Sequence, residues 1–375
     1  MYVVTNRNVV AGASGLDMLG DVPSQEGPNE LRLLRIERTG RVRNRSWRVE
    51  LLDDRLETAE VAAIDAEFEL GLDRQQPYFA SLRAAADLVR TARASNRPIV
   101  LFVHGFNNDV EAVLERAANL ERNFKVQVVP FCWPANGGGS DRRVGVLDYK
   151  SDKRDARASA GALERTVAKI GAYLTLFNAG ARERLLAEAS ARHPRDTEQR
   201  TALFARLMAR HCPAEMNLMA HSMGNYVLKH MLAPRSSEGT RRVFGNVLLC
   251  AADTNNAGHA SWLERIDCRG RVYVTINMRD YALSASMLKA GEEQLPRLGA
   301  HLAGLDAGNA VYVDFTGAEA VDDSHAYFED RALTNPAVEG FFSRALTGAR
   351  AEEGLEYSAP SNVWTLPRSV GSDGQ

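Results

Sequence analysis

Residues 216–232 read MNLMAHSMGNYVLKHML. An apolar run of strand length, 216–220, enters the segment HSMG and leaves at once into a helix over 225–232. Strand, sharp turn and helix, with Ser222 at the tip, form an elbow that lifts a serine hydroxyl clear of the backbone. The helix must then pass close to the strand it came from. That needs tiny side chains two before and two after the serine, and Ala220 and Gly224 stand there. Glycine is usual at both places, and Ala220 is a mild departure that the geometry accepts. A small-x-Ser-x-Gly pattern alone is more often just a turn. Its position between a buried strand and a helix carries the reading.

Working outward, the same alternation recurs. Apolar strand candidates lie at 98–103 (PIVLFV), 126–131 (VQVVPF, limited near its end by Pro130), 246–251 (NVLLCA), 271–276 (RVYVTI) and 311–315 (VYVDF). Between and around them come helical patterns at 109–124, with Asp109 as N-cap, at 155–177, at 181–212 with a break at His193-Pro194, and at 336–346. Such an order predicts an α/β fold: a mostly parallel central sheet with helices on both faces. Ligands in such sheets sit beyond the carboxyl ends of the strands. The N-terminal third differs. Short strands at 1–5, 30–39 and 47–51 precede a helix at 78–94, and Trp47, Val49 and Leu51 alternate with Arg48 and Glu50 as in a half-buried antiparallel strand. The expected organisation is one domain over 1–350, with 1–95 as an N-terminal strand extension and 96–350 as the core. The polar residues 351–375 are expected to form a mobile tail.

Composition narrows the function. The chain has 375 residues, 46 Lys+Arg against 48 Asp+Glu, a net charge of -2, 45% hydrophobic and 25% charged residues. This is an ordinary globular balance with no global pull toward nucleic acid or acidic lipid. No apolar run approaches the ~18 residues that span a bilayer, so no integral membrane segment is expected. The start lacks the basic-then-apolar pattern of a secretory leader, and a cytoplasmic location is expected. Cys132, Cys212, Cys250 and Cys268 are scattered, as reduced thiols would be. No metal-ligand spacing or cofactor motif occurs, so neither metal nor cofactor is expected. NGGG at 136–139 lacks the lysine and helix of a phosphate loop and reads as a flexible loop. KSDKRDAR at 150–157 mixes signs and reads as a solvated helix start, with anion binding as the lesser reading.

A serine hydroxyl needs a base, an orienting carboxylate and oxyanion donors to become a nucleophile. In an elbow fold the acid and the histidine follow the serine in the chain. Asp280 stands just past the strand at 271–276, and Asp253 just past 246–251. Either could instead be a helix N-cap. The later strand end favours Asp280, with Asp253 as the alternative acid. His325, in the loop DDSH after 311–315, is the histidine that follows a strand and lies downstream of both acids. Asp322 and Asp323 make a polar turn or donate order to that loop. The oxyanion donors are expected to be the N–H of Met223 and the N–H of Phe106 in the loop HGFNN at 104–108. Gly105 permits close approach of that loop, and His104 organises it. His221 sits beside the serine but is expected to point away from it.

These residues resemble a bacterial α/β-hydrolase family of unknown function, esterase- and lipase-like. The matching stretches are FVHGFNNDVEAVLERAANL at 102–120, PFCWPANG at 130–137, NLMAHSMGNYVL at 217–228, INMRDYALSASMLKA at 276–290, PRLG at 296–299 and SHAYF at 324–328. VVTNR at 3–7 adds to them. The resemblance implies an α/β-hydrolase fold, with Ser222 as nucleophile, Asp280 as acid and His325 as base. Ala135 departs from the small hydroxyl residue expected after Trp-Pro, and 149–159 is more basic than expected. The resulting expectation is a serine hydrolase of a small-molecule carboxylic ester. The same residues would serve an acyltransferase or thioesterase, and a binding module on a hydrolase-like fold is the rival of another class.

Overall fold

The apolar strands predicted between 98 and 276 are buried on both faces, and the one at 311–315 is buried in part. In a computed structural model, residues 1–27, 29–41, 44–135, 144–210, 215–233, 240, 242–287 and 295–367 are described. In chain order the strands are β1 (Tyr2–Thr5), β2 (Arg7–Val9), β3 (Leu19–Pro23), β4 (Arg32–Arg41), β5 (Asn44–Leu51), β6 (Ile99–Val103), β7 (Gln127–Cys132), β8 (Met216–His221), β9 (Phe244–Cys250), β10 (Val272–Ile276), β11 (Ala310–Asp314), β12 (Glu356–Ser358) and β13 (Val363–Thr365). The helices are α1 (Thr58–Phe68), α2 (Ala80–Ser95), α3 (Val110–Phe124), α4 (Val144–Ala158), α5 (Ala160–Arg192), α6 (Thr197–Arg210), α7 (Gly224–Leu232), α8 (Ala260–Leu263), α9 (Tyr281–Met287) and α10 (Pro336–Leu346).

One 11-stranded sheet runs β12-β13-β11-β10-β9-β8-β6-β7-β1-β4-β5. Every pairing from β13 through β1 is parallel, and β12 at one edge and β4-β5 at the other are antiparallel. This is an α/β-hydrolase architecture with the antiparallel extension read from the sequence. Strand residues alternate between two cores. Ile99, Leu101 and Val103 face α2, α5 and α7, and Val100 and Phe102 face α3 and α10. Each fully buried side chain of this kind contributes about 1.5–3 kcal/mol. Asp109 caps α3 as expected, its carboxylate accepting from Ala112 N–H at 2.7 Å. Pro130 lies inside β7, opposite Phe102, and β1 joins β7 only from Phe131 onward.

Three expectations are corrected. The residues expected to form a mobile tail instead close the sheet through 367. Ala351 and Leu366 are buried, and β12 and β13 form an edge hairpin paired to β11. The segment 150–157 is not a solvated helix start. It belongs to α4, where Asp152 and Lys153 are buried and the Lys153 ammonium lies 5.3 Å and 5.0 Å from the Tyr149 and Tyr226 rings. Residues 155–177 are not one helix, because α4 ends at Ala158 and α5 begins at Ala160. The NGGG segment at 136–139 and Cys212 lie outside the described residues. Among the described residues, no helix is long and apolar enough to cross a membrane.

Candidate active site

β8 delivers the elbow. Ser222 follows its last residue with φ at +52°, a left-handed conformation that costs a side-chain-bearing residue energy unless its surroundings fix it. Here they do. Ser222 N–H donates to Cys250 C=O at 3.0 Å, and the Asn225 side-chain amide donates to the carbonyls of Ala220, Ser222 and Cys250 at 3.0–3.2 Å. Sequence reasoning missed Asn225, whose place three residues after the serine is its one signal. The expected need for a tiny residue at Gly224 is met. A Cβ there would lie 2.3 Å from Val103 O and 2.8 Å from His104 O, both backbone atoms.

The loop after β6 closes over the serine. A Cβ on Gly105 would stand 2.7 Å from Ser222 Cβ and 3.2 Å from its Oγ. His104 is wholly buried, stacked on Trp133 with ring centroids 5.1 Å apart, and its Nδ1 donates to Gly105 C=O at 2.9 Å. Burial and the charge of Arg7 push its pKa down to about 3, so it stays neutral and organises the loop. The Asn108 amide also donates to Gly105 C=O, at 3.1 Å, and to Phe106 C=O, at 2.7 Å. A trans peptide points its N–H opposite to its C=O. Holding the Gly105 carbonyl on the His104 and Asn108 side therefore turns the Phe106 N–H the other way. Met223, buried at the start of α7, finds no backbone acceptor for its N–H among the described residues.

β10 and the loop after β11 meet at the predicted acid and base. Asp280 is wholly buried, and its Oδ1 accepts from Ala282 and Leu283 N–H at 2.9 and 3.0 Å, at the start of α9. Its Oδ2 accepts from His325 Nδ1 at 2.7 Å. The N-cap role and the acid's position are thus two halves of one carboxylate. That bond fixes the His325 proton on Nδ1 and leaves Nε2 as the nitrogen with a lone pair. The loop carrying His325 is tied down nearby. The Asn277 amide donates to Asp322 and Ser324 C=O at 3.2 and 3.1 Å, and Tyr281 N–H to Asp323 C=O at 3.2 Å.

His221 supplies a further tie that the sequence hid. As expected it is not placed as a base. Its Nε2 meets His325 C=O at 3.1 Å, and its Nδ1 meets the Arg116 guanidinium at 3.3 Å. A guanidinium only donates, so His221 Nδ1 accepts and Nε2 carries the proton given to His325 C=O. Burial, the neighbouring His325 and Arg116 hold the His221 pKa well below the usual histidine range. The His221 and His325 rings lie 4.7 Å apart, which brings the histidine loop against the residue preceding Ser222. Among the described residues, no hydrogen bond joins the Ser222 hydroxyl to the His325 ring, whose Nδ1 is bonded to Asp280. Such bonds are commonly long without substrate and tighten in the complex.

Asp253 is brought elsewhere. Its backbone N–H donates to Ser222 C=O at 3.2 Å, but its carboxylate accepts from Tyr149 OH at 2.8 Å and Ser286 Oγ at 3.1 Å and pairs with Arg297 Nε at 3.2 Å. Arg297 and Asp253 are both buried. No three His, Cys, Asp or Glu side chains converge to hold a metal ion among the described residues.

Comparison with known proteins bears on the fold. The chain matches the family described as "Alpha/beta hydrolase of unknown function (DUF900)" over residues 82–174 and 188–338. It belongs to that family. Short local similarity is also found to peptide chain release factor 3 of Nitrosomonas eutropha, 35% identical over 65 residues (17% of this chain and 12% of the relative), and of Bordetella avium, 33% over 66 residues (18% and 12%). The similarity thus spans about an eighth of those relatives' length. No solved structure matches.

Proposed function

We propose that this member of the alpha/beta hydrolase family is a serine hydrolase that cleaves a carboxylic ester through a covalent acyl intermediate. The observation that carries the reading is the Asp280 carboxylate. One oxygen is anchored by two helix N–H groups and the other accepts from His325 Nδ1 at 2.7 Å. That arrangement fixes the tautomer a general base needs and stabilises the imidazolium that forms. His325 Nε2 takes the proton from Ser222 Oγ as that oxygen bonds to the acyl carbon. The carbonyl oxygen becomes an oxyanion facing the N–H groups of Phe106 and Met223, each worth about 3–4 kcal/mol where such donors have been removed by mutation. The imidazolium gives its proton to the leaving alcohol as the ester C–O bond breaks. Water, deprotonated by the same nitrogen, then releases the acid.

Hydrolysis of short aryl esters tests this. The intact chain should turn over, and Ser222→Ala should lose activity by about a millionfold or to background. Equal turnover by Ser222→Ala, or none by folded wild-type protein across a series of acyl lengths, would reject it.

A further inference from the structure

A cavity lies at the other end of the strands, away from the chemistry above. It has a volume of about 400 Å³ between α2, α5 and the sheet, and Leu33, Leu88, Val129, Ile170, Phe177 and Met216 are among its lining. Met216 is the first residue of β8, whereas Ser222 follows its last. Six residues of strand put about 20 Å between those points. None of Phe106, Ser222, Asp280 and His325 lines the cavity.

A volume in this range, apolar walls and a few polar groups at one end describe a small-molecule site. The polar lining mixes signs. Arg32, Arg165, Lys169, Glu30 and Asp54 stand there. Glu30 is shared by Arg32 and Arg165 at 3.7 and 3.9 Å, and Arg32 also pairs with Glu26 at 2.7 Å. Lys169 has no carboxylate within ion-pair distance among the described residues. Its ammonium lies 4.8 Å from the Phe79 ring at the same mouth. Partial burial and the charge of Arg165 lower its pKa.

We propose that this cavity binds a single-chain fatty carboxylate, with the alkyl chain between α2 and α5 and the carboxylate on Lys169. The chain replaces water along apolar walls, and the carboxylate supplies the ion-pair partner that Lys169 does not find among the described residues.

Titration calorimetry with dodecanoate, dodecanol and dodecylammonium, below their aggregation concentrations, tests the assignment. Dodecanoate should bind at one site, at least tenfold more tightly than dodecanol, and dodecylammonium should not bind. Lys169→Gln, an exposed change that leaves the core intact, should erase the preference of dodecanoate over dodecanol. Ala84→Phe, on the α2 wall, should abolish binding of both dodecanoate and dodecanol while circular dichroism stays native. Absence of dodecanoate binding to wild type would overturn the proposal. So would binding unchanged in both variants, which would put the ligand elsewhere, including at Ser222. If Ala84→Phe does not fold, the Lys169→Gln result decides alone.

Discussion

Two strand ends carry one buried carboxylate each, and the two have different partners. Asp253 follows β9 and Asp280 follows β10, and both are fully enclosed. Asp280 meets two amides and an imidazole, groups that leave it a partner able to gain and lose a proton. Asp253 meets a guanidinium, a phenol and a serine hydroxyl. Arginine does not release its proton, so Asp253 holds charge in place and ties α4 and α9 to the elbow. Position beyond a strand end makes a carboxylate available, but its neighbours decide between structure and chemistry.

Neutralising each acid in turn separates the two carboxylates most strongly. Asp280→Asn should lower kcat/KM for an aryl ester by about 10⁴, because the amide disfavours the required His325 tautomer. Asp253→Asn should stay within tenfold per folded molecule. Next in size is Arg297→Met, which leaves Asp253 buried without its cation. Loss of one partner of a buried pair typically costs about 3–5 kcal/mol, so the denaturation midpoint should fall clearly while Asp280→Asn leaves it nearly unchanged. A third buried carboxylate sharpens the contrast. Glu329 forms a 3.5 Å ion pair with Arg116, and burial pushes its pKa up to about 7 against that pair. A folded-state pKa raised from 4.5 contributes stability that is complete below pH 4.5 and lost as pH rises through 7. Glu329→Gln removes that loss, so the variant should gain on wild type between pH 5 and pH 8 by an amount on the order of 3 kcal/mol at most. Smallest is His221→Gln, which loses the fixed donor to His325 C=O. It should lower kcat about tenfold with KM little changed, as expected of a residue that positions the base.

Much of this layout is legible in the chain. The elbow, the alternating buried strands, the Asp109 cap and the strand-end positions of Asp280 and His325 all follow from local patterns that tertiary packing then reinforced. The choice between Asp253 and Asp280 was not settled by local pattern. Each lies past a buried strand, and only contacts from distant segments separate them: His325 from 45 residues away and Tyr149 from 104. Arg116 and Arg297 were invisible for the same reason, since an arginine's burial depends on partners from other elements. The hairpin of β12 and β13 has strands of three residues, too short for a two-residue period to show against a polar background. The buried stretch of α4 misled because its charges alternate as on a wet helix, while Tyr149 and Tyr226 cover Lys153.

The most direct test compares the rate and site of fluorophosphonate labelling, read by peptide mass spectrometry, in wild type, Asp280→Asn and Asp253→Asn. Phosphorus is expected on Ser222 alone, at similar rates in wild type and Asp253→Asn, and at least a hundredfold slower in Asp280→Asn. Adduct on another residue, or slow labelling in Asp253→Asn with Asp280→Asn unaffected, would contradict it.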